Sequence, residues 1–327
     1  MLIFRGLPPI RAESSALQNS APMVALTIGN FDGVHLGHQA LLNQLREAAK
    51  SRGLRTAVLT FEPHPREFFM PQQAPARLTS MHEKLEFFAE LGIDQVYVCR
   101  FNARFAQMTA QDFMQAICQK LAAKFILVGD DFRFGRKRAG DFALMNEMSA
   151  EYGVTVQAMS SVLLNDVRIS STAVRAALAA GDLLAANHFL GRAYSMSGRV
   201  VHGDGVGKKL GFPTANIQLK HNFPPLSGIF VVRVTGDDMP SMQGVASLGV
   251  RPTVSKNGKP VLEVHIFNFS NEIYNKHLRV EFLHKLRDEE KYPNLEILIR
   301  QISQDVQDAK SWFTKNDKLD NMINYSK

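Results

Sequence analysis

Two imidazoles three residues apart, His35 and His38, stand at the end of the stretch LTIGNFDGVHLGH, residues 26–38. An apolar run from Met23 to Ile28 stops at Gly29. Asn30, Asp32 and Gly33 supply turn chemistry, and an amphipathic segment runs from Gln39 to Lys50. This order predicts a buried strand, a tight loop and a helix start. Free N–H groups and the positive dipole end at a helix start favour an anion. Gly37 removes side-chain bulk, so a ligand can approach the backbone. Two imidazoles there can donate hydrogen bonds to one phosphate group, although an isolated H-x-G-H serves equally well as a pair of capping or surface histidines. A zinc site is disfavoured, because the only cysteines are the distant Cys99 and Cys118 and no H-E-x-x-H or C-x-x-C spacing occurs.

Other clusters carry similar chemistry. The strand-like run Arg55 to Phe61 leads into Glu62-Pro63-His64-Pro65-Arg66, either a structural turn or a substrate loop at a strand's carboxyl end. Gly129-Asp130-Asp131-Phe132-Arg133-Phe134-Gly135 ends another strand, and its adjacent carboxylates read on local grounds as a solvated turn. The densest basic cluster, Arg133, Arg136, Lys137 and Arg138, reads as a local phosphate loop. Arg168-Ile169-Ser170-Ser171-Thr172, with Arg175 beyond, precedes an Ala-rich helix; hydroxyls there cap the helix or, with the two arginines, receive a triphosphate. Further on, Gly203, Gly205 and Gly207 precede Lys208 and the string Pro213-Thr214-Ala215-Asn216. This is either a flexible hairpin or backbone that wraps phosphates, with Thr214 and Asn216 as short oxygen ligands for Mg²⁺. It is not a P-loop of the G-x-x-x-x-G-K-[ST] kind. Glu263 alternates with Leu262, Val264 and Ile266 and shares its face with His265 and Phe267, where an ordinary solvent-facing carboxylate would stand.

The elements that must hold these groups fall into two textures. Up to about residue 185, strands at 23–28, 55–61, 95–99 and 125–128 alternate with helices at 39–50, 79–91 and 109–121, which predicts a parallel sheet with right-handed crossovers. Shorter strands are expected at 151–157 and 162–164. Residues 1–22, with three prolines, read as a short strand or loose lead-in. Residues 181–191 read as a last helix and linker. From Tyr194, short alternating runs at 197–201, 229–235, 244–248, 262–269 and 278–283 predict a small antiparallel barrel. A helix from Asn294 to Trp312 closes it, with Leu295, Leu298, Ile302, Val306 and Ala309 on one face. Residues 315–327 read as a frayed polar tail. The chain has 327 residues, 45% of them hydrophobic and 21% charged, ample for two globular domains. The start is too short for a signal-peptide core, and no 18-residue apolar run occurs, so the expected compartment is the cytoplasm with reduced thiols. The net charge of +7 comes from dispersed residues, a pattern unlike a nucleic-acid stripe.

The string G-N-F-D-G-V-H-L-G-H, together with F-x-P-H-P, G-D-D-F-R-F-G and I-S-S-T-x-x-R, resembles the H-x-G-H nucleotidyltransferases. The particular likeness is to the FAD synthetase module of the bacterial bifunctional riboflavin kinase/FAD synthetase family. G-F-P-T-A-N, G-x-R-P-T at residues 249–253 and L-E-V-H-I-F resemble that family's riboflavin kinase module. The resemblance spans about residues 20–312. It implies an α/β fold: a Rossmann-like nucleotidyltransferase domain with a parallel sheet (residues 1–185), then a riboflavin kinase-like antiparallel β-barrel closed by a helix (186–314). It implies phosphorylation of riboflavin to FMN and adenylylation of FMN to FAD, each with ATP and Mg²⁺. Riboflavin, FMN and ATP are the implied partners, with flavoprotein clients beyond them and neither nucleic acid nor membrane.

Residue by residue, the resemblance implies that His35 and His38 hold the α-phosphate and bridging oxygen. Gly29, Asn30, Asp32, Asp131, Arg168, Ser171, Thr172 and Arg175 serve ATP in the first domain. Gly203, Gly205, Gly207, Lys208, Thr214 and Asn216 serve it in the second, the last two also reaching the metal. Phe61, Pro63, His64 and Arg251 contact flavin. Glu263 takes the proton of the ribityl 5′-hydroxyl. Asp131 stands where Asn is frequent, Val250 where Thr is common and Asn268 where Asp is common. Two other readings stand beside this one: another nucleotidyltransferase with an accessory barrel, and a non-catalytic flavin or nucleic-acid binder.

Overall fold

The computed structural model describes residues 1–7, 23–220, 223–237, 239–250 and 260–324. Contacts divide the chain into two compact units, Met1–Pro75 with Met81–Ser171, and Ala76–Ser80 with Thr172–Lys327.

The first unit runs β1 (Leu2–Arg5), β2 (Val24–Ile28), α1 (Leu36–Arg52), β3 (Arg55–Glu62), α2 (Pro65–Phe69), α3 (Met81–Glu90), β4 (Gln95–Arg100), α4 (Ala103–Ala106), α5 (Ala110–Gln115), β5 (Ala123–Gly129), α6 (Phe142–Ala150), β6 (Thr155–Met159) and a small hairpin of β7 (Leu163–Leu164) with β8 (Val167–Arg168). β1 to β6 form one parallel sheet in the order β1-β4-β3-β2-β5-β6. Its inner strands β2, β3, β4 and β5 are largely buried on both faces, as a covered parallel sheet requires, while the edge strands β1 and β6 are exposed or half-buried. Val24, Leu26, Ile28, Leu59 and Ile126 pack with Phe113, Met114 and Met145 on one face. Ala25, Val58, Phe125 and Leu127 pack with Leu42 and Leu45 of α1 and Phe87 and Phe88 of α3 on the other. After β2 the chain winds outward to β3 and β4, then returns to place β5 on β2's other side. The crevice at the carboxyl ends of β2 and β5 is therefore the topological switch point, where such sheets bind ligands.

Several local expectations change here. The helix expected over 109–121 is α-helical only to Gln115 and continues as a π-helical turn, Ala116–Lys120. The strand expected at 151–157 begins at Thr155, and Leu163–Leu164 belongs to the separate hairpin with β8. On α3, Phe87, Phe88, Glu83 and Lys84 are the buried residues, while Leu85 and Leu91 are only partly covered.

The second unit holds α7 (Ser171–Ala179, whose first residue still belongs to the first unit), α8 (Leu183–Leu190), β9 (Tyr194–Val201), α9 (Val206–Lys209), β10 (Ala215–Gln218), β11 (Gly228–Gly236), β12 (Met239–Val250), β13 (Pro260–Ile266), β14 (His277–Arg287) and α10 (Leu295–Asn324). The strands close into an antiparallel barrel, β10-β13-β12-β11-β14-β9. Alternation decides which residues fill it: Leu262, Val264 and Ile266 point inward with Phe230, Val280 and Phe282, and α7 and α8 add Val174, Leu178 and Leu190. On the barrel's outer side, Ile229, Val231, Val245 and Phe267 receive Val306, Ala309 and Phe313 of α10. The expected frayed tail is corrected, since α10 continues to Asn324. Leu295, expected on the apolar face, is exposed.

Candidate functional site

In the first unit, the turn after β2 is strained and packed. Phe31 and Val34, neither of them glycine, adopt φ of 50° and 40°, and Gly33 lies at 84°. Left-handed geometry at a β-branched residue costs energy and persists only when the surroundings impose it. Burial of Phe31 imposes it: the ring is 1% exposed and meets Phe88 edge-on at 5.4 Å and His38 at 5.0 Å. The Asn30 carbonyl accepts Lys84 Nζ at 2.7 Å and Thr60 Oγ1 at 3.3 Å.

His35 is the N-cap of α1, and its Nδ1 accepts the backbone N–H of His38 at 3.3 Å. A neutral His35 therefore carries its proton on Nε2, as a donor. The two imidazoles stack at 3.7 Å, 17° from parallel. His38 Nδ1 is sequestered with no hydrogen-bond partner, as is Asn30 Oδ1. Burial, then the neighbouring His35 and Lys84, push the His38 pKa well below its ordinary value, so it is neutral at pH 7. Gly37 leaves room for the His35 ring, because a Cβ there would sit 3.2 Å from Cε1 and Nδ1.

The other half of the motif arrives from 139 residues away. Ser171 Oγ donates to the carbonyl of the buried Asp32 at 2.8 Å, which joins the turn after β2 to the start of α7. Arg168 pairs with Asp131 at 2.6 Å, both side chains about half exposed. Asp131 lies at the end of β5, beside β2, so the switch point gathers Gly29, Asn30, Asp32, His35, His38, Asp131, Arg168 and Ser171. Thr172 and Arg175 belong to the second unit, where Arg175 Nε donates to Ala76 O at 2.6 Å.

At the end of β3, the Pro-rich stretch is more ordered than a stiff loop. His64 caps α2 through a capping box: its Nδ1 accepts Arg66 N, its own N–H donates to Glu67 Oε2, and Pro65 takes the first turn. Phe61 joins an aromatic group that sequence reasoning missed, Phe68, Phe69, Phe101 and Phe105, with ring centroids 5.2–5.9 Å apart. Phe69 is 60% exposed. The signal was available as an excess of phenylalanine after two strands, but only the fold shows the rings meeting.

In the second unit, β10 places Asn216 opposite Glu263, and β12 places Ser247 opposite Glu263 on the other side. The carboxylate is thus flanked in register by an amide and a hydroxyl. His265 Nδ1 donates to Pro213 O at 2.8 Å, pinning the residues before Thr214. Gly205, at φ 68°, caps the short α9, which carries Gly207 and Lys208. A Cβ on Gly203 would overlap the Asn216 amide, and one on Gly207 would lie 2.5 Å from Phe212 O and 3.1 Å from Thr214 Oγ1. These glycines form a cradle around Thr214 and Asn216.

A cavity of about 280 Å³ opens beside this cradle, lined by Gly207, Thr214, Ser247, Glu263, Arg287 and Glu289. Arg287 is held in its wall by Asp305 of α10 through two bonds, 2.8 and 2.7 Å. Glu289 accepts from Ser247 Oγ at 3.1 Å and lies where a side chain on Gly249 would be. Neither contact was foreseen. Asn268 takes φ 54°, a conformation that Asn and Asp tolerate well. Arg251 lies outside the described residues, as does the Val250 side chain.

The family models for FAD synthetase and riboflavin kinase match residues 17–173 and 190–313. The bifunctional riboflavin kinase/FMN adenylyltransferase of Escherichia coli (strain K12) is 45% identical over 289 residues, covering 88% of this chain and 92% of its own. That of Haemophilus influenzae is 46% identical over 291 residues (88% and 94%), and that of Pseudomonas fluorescens 43% over 312 residues (95% and 97%). A solved structure described as a macrolide-efflux protein from Streptococcus pneumoniae superposes with a TM-score of 0.73 at 27% identity, covering 93% of this chain and 97% of that one. Among the described residues no helix is long and apolar enough to cross a membrane. With each half matched by its own domain model and nearly the full length matched by relatives of similar size, the chain belongs to the bifunctional riboflavin kinase/FMN adenylyltransferase family.

Proposed function

We propose that the two steps, riboflavin to FMN and FMN to FAD, are divided between the two domains and carried by the residues that converge in each. The observation supporting this division is that distant signature residues meet twice, Asp32 with Ser171 and Asn216 with Glu263.

In the second domain, Glu263 accepts the proton of the riboflavin 5′-hydroxyl as that oxygen attacks the γ-phosphorus of ATP, and ADP leaves. Asn216 and Ser247 on either side fix the strand positions around the carboxylate. The Gly203–Gly207 backbone and Lys208 bind the phosphates. Thr214 and Asn216 offer neutral, hard oxygen donors inside a cradle that a Cβ would fill, which suits a metal carried mainly by phosphate oxygens. Mg²⁺ bound there supplies neutralisation of the triphosphate charge. Arg251, on the G-x-R-P-T segment, is assigned to flavin.

In the first domain, the FMN phosphate attacks the α-phosphorus of ATP and pyrophosphate leaves, so no protein nucleophile is needed. Positioning and charge stabilisation do the work. His35 donates from Nε2 to a phosphate oxygen, and neutral His38 holds the α-phosphate and bridging oxygen beside it. Gly29, Asn30 and Asp32 shape the turn under the nucleotide, and Asp131 orients Arg168. Ser171, Thr172, Arg168 and Arg175 receive the pyrophosphate. Phe61, Pro63 and His64 present the flavin face. The free, buried Cys99 and Cys118 suit a reducing cytoplasm, and FMN and FAD pass to flavoprotein clients without nucleic acid or membrane.

The test is separation of products after incubation with ATP, Mg²⁺ and either riboflavin or FMN. FMN and FAD from riboflavin, and FAD from FMN, are the expected products. Absence of flavin product from both substrates would overturn the assignment.

A further inference from the structure

The β10–β13 ladder ends where Ala215 faces Val264. Pro213 cannot extend it, having no N–H to donate. A side chain of β13 anchors the chain there instead: His265 Nδ1 donates to Pro213 O at 2.8 Å. A carbonyl only accepts, so a neutral His265 carries its proton on Nδ1. Two aromatic rings fix the imidazole's orientation. Phe212 and Phe267 stand edge-on to it, each with its centroid 5.8 Å away, at 82° and 64°. Side chains two apart on a strand share a face, so Glu263 and His265 line the same cavity, together with Thr214. One strand therefore holds the chain on both sides of Thr214. His265 grips Pro213, and the ladder grips Ala215 and Asn216, the latter opposite Glu263. The glycine cradle rests on the same segment: Phe212 N donates to Gly207 O at 2.8 Å, and a Cβ on Gly207 would meet Phe212 O. A shift of Pro213 would carry Thr214 and Gly207 away from Glu263 together.

We propose that His265 is a positioning residue for riboflavin phosphorylation: through Pro213 O it sets Thr214 and the Gly207 turn at the distance from Glu263 that phosphoryl transfer to the 5′-hydroxyl requires. The proposal rests on the reading of Glu263 as the base and of Thr214 as a residue that serves the triphosphate and its metal. His265 itself touches neither riboflavin nor ATP in this role; it acts through the backbone of Pro213.

The test uses the full chain, with FAD formation from supplied FMN and a urea melt to report folding. The variants differ in where a nitrogen stands. The amide nitrogen of Asn takes the place of Nδ1, and that of Gln the place of Nε2. In H265Q the kcat of riboflavin phosphorylation should fall about a hundredfold, while the KM for riboflavin stays within about threefold and FAD formation is unchanged. Calorimetry should find Mg·ADP binding to H265Q about tenfold weaker than to the parent. H265N, which can still donate to Pro213 O, should recover most of the rate and of the affinity. A merely structural histidine would give no such ranking of Asn over Gln. A kcat for H265Q within about threefold of the parent, or H265N no faster than H265Q, overturns the proposal. If H265Q does not fold, the parent decides: nitrogen NMR of the histidine rings should find the His265 proton on Nδ1, and a neutral ring protonated on Nε2 overturns the proposal. E263Q separates its failure from that of the underlying reading. If E263Q abolishes FMN formation and H265Q does not, only the role of His265 is lost. If E263Q itself makes FMN at the parent rate, the assignment of the base fails first.

Discussion

Gly203→Ala places one methyl group against the Asn216 side chain, with Cγ at 2.5 Å and Oδ1 at 2.6 Å from the new Cβ. Carbon atoms rest about 3.5–4.0 Å apart, so the Asn216 amide must move by about 1 Å. It is a side chain, not backbone, and it can swing away. The fold therefore loses only about 1 kcal/mol from overpacking. The reaction loses more, because a displacement of about 1 Å in a positioning group costs about a hundredfold in rate, or about 2.7 kcal/mol of barrier. Riboflavin phosphorylation and FMN adenylylation are measured on the same preparation by separating the flavins chromatographically. The first should fall by about a hundredfold and the second should not change. A kinase rate within threefold of the parent, or equal losses in both reactions, would refute the reasoning that Gly203 is small because Asn216 must sit over it.

Three other outcomes follow from the geometry. Gly37→Ala presses the His35 ring from 3.2 Å; FAD formation should drop about tenfold, while helix propensity adds up to about 1 kcal/mol of stability, a combination read by kinetics and a urea melt. Asp305→Ala leaves the Arg287 guanidinium in the barrel wall without its two bonds and should cost about 3 kcal/mol, measured as a lowered unfolding midpoint; no change would mean that the pair braces nothing. His38 is held neutral in the folded state and titrates near its ordinary value, about 6.5, when unfolded. Above that pH neither state is protonated and His38 contributes nothing. As pH falls through it the unfolded chain gains the proton first, and stability declines by up to about 1.4 kcal/mol per pH unit, less for the ring's partial exposure. Urea midpoints at two pH values should show a shallower decline in H38Q than in the parent.

The first domain was legible because its strands are continuous apolar runs and its site follows strand ends, both local patterns. The order of the sheet was not, and with it the neighbourhood of β2 and β5 that brings Asp131 near His35. The barrel strands showed through alternation, which correctly placed Glu263 opposite Leu262 and Val264. β10 was missed because its four residues overlap the P-T-A-N string, where Pro and Asn argue for a turn. Asn216 nevertheless pairs in register with Glu263, and no local signal carries that. The continuation of α10 past residue 314 was hidden by polar composition, since a solvated helix and a frayed tail share it. Lys84 and Glu289 look like ordinary surface charges until tertiary contacts bury one and lay the other over Gly249.

One pair of variants tests the division of labour between the two domains. E263Q and H38A are each supplied with ATP and Mg²⁺, first with riboflavin and then with FMN, and the flavin products are separated. E263Q should make almost no FMN from riboflavin yet convert FMN to FAD at the parent rate. H38A should make FMN from riboflavin and stop there. Loss of both reactions in either variant while it remains folded, or FMN formation by E263Q at the parent rate, would contradict it.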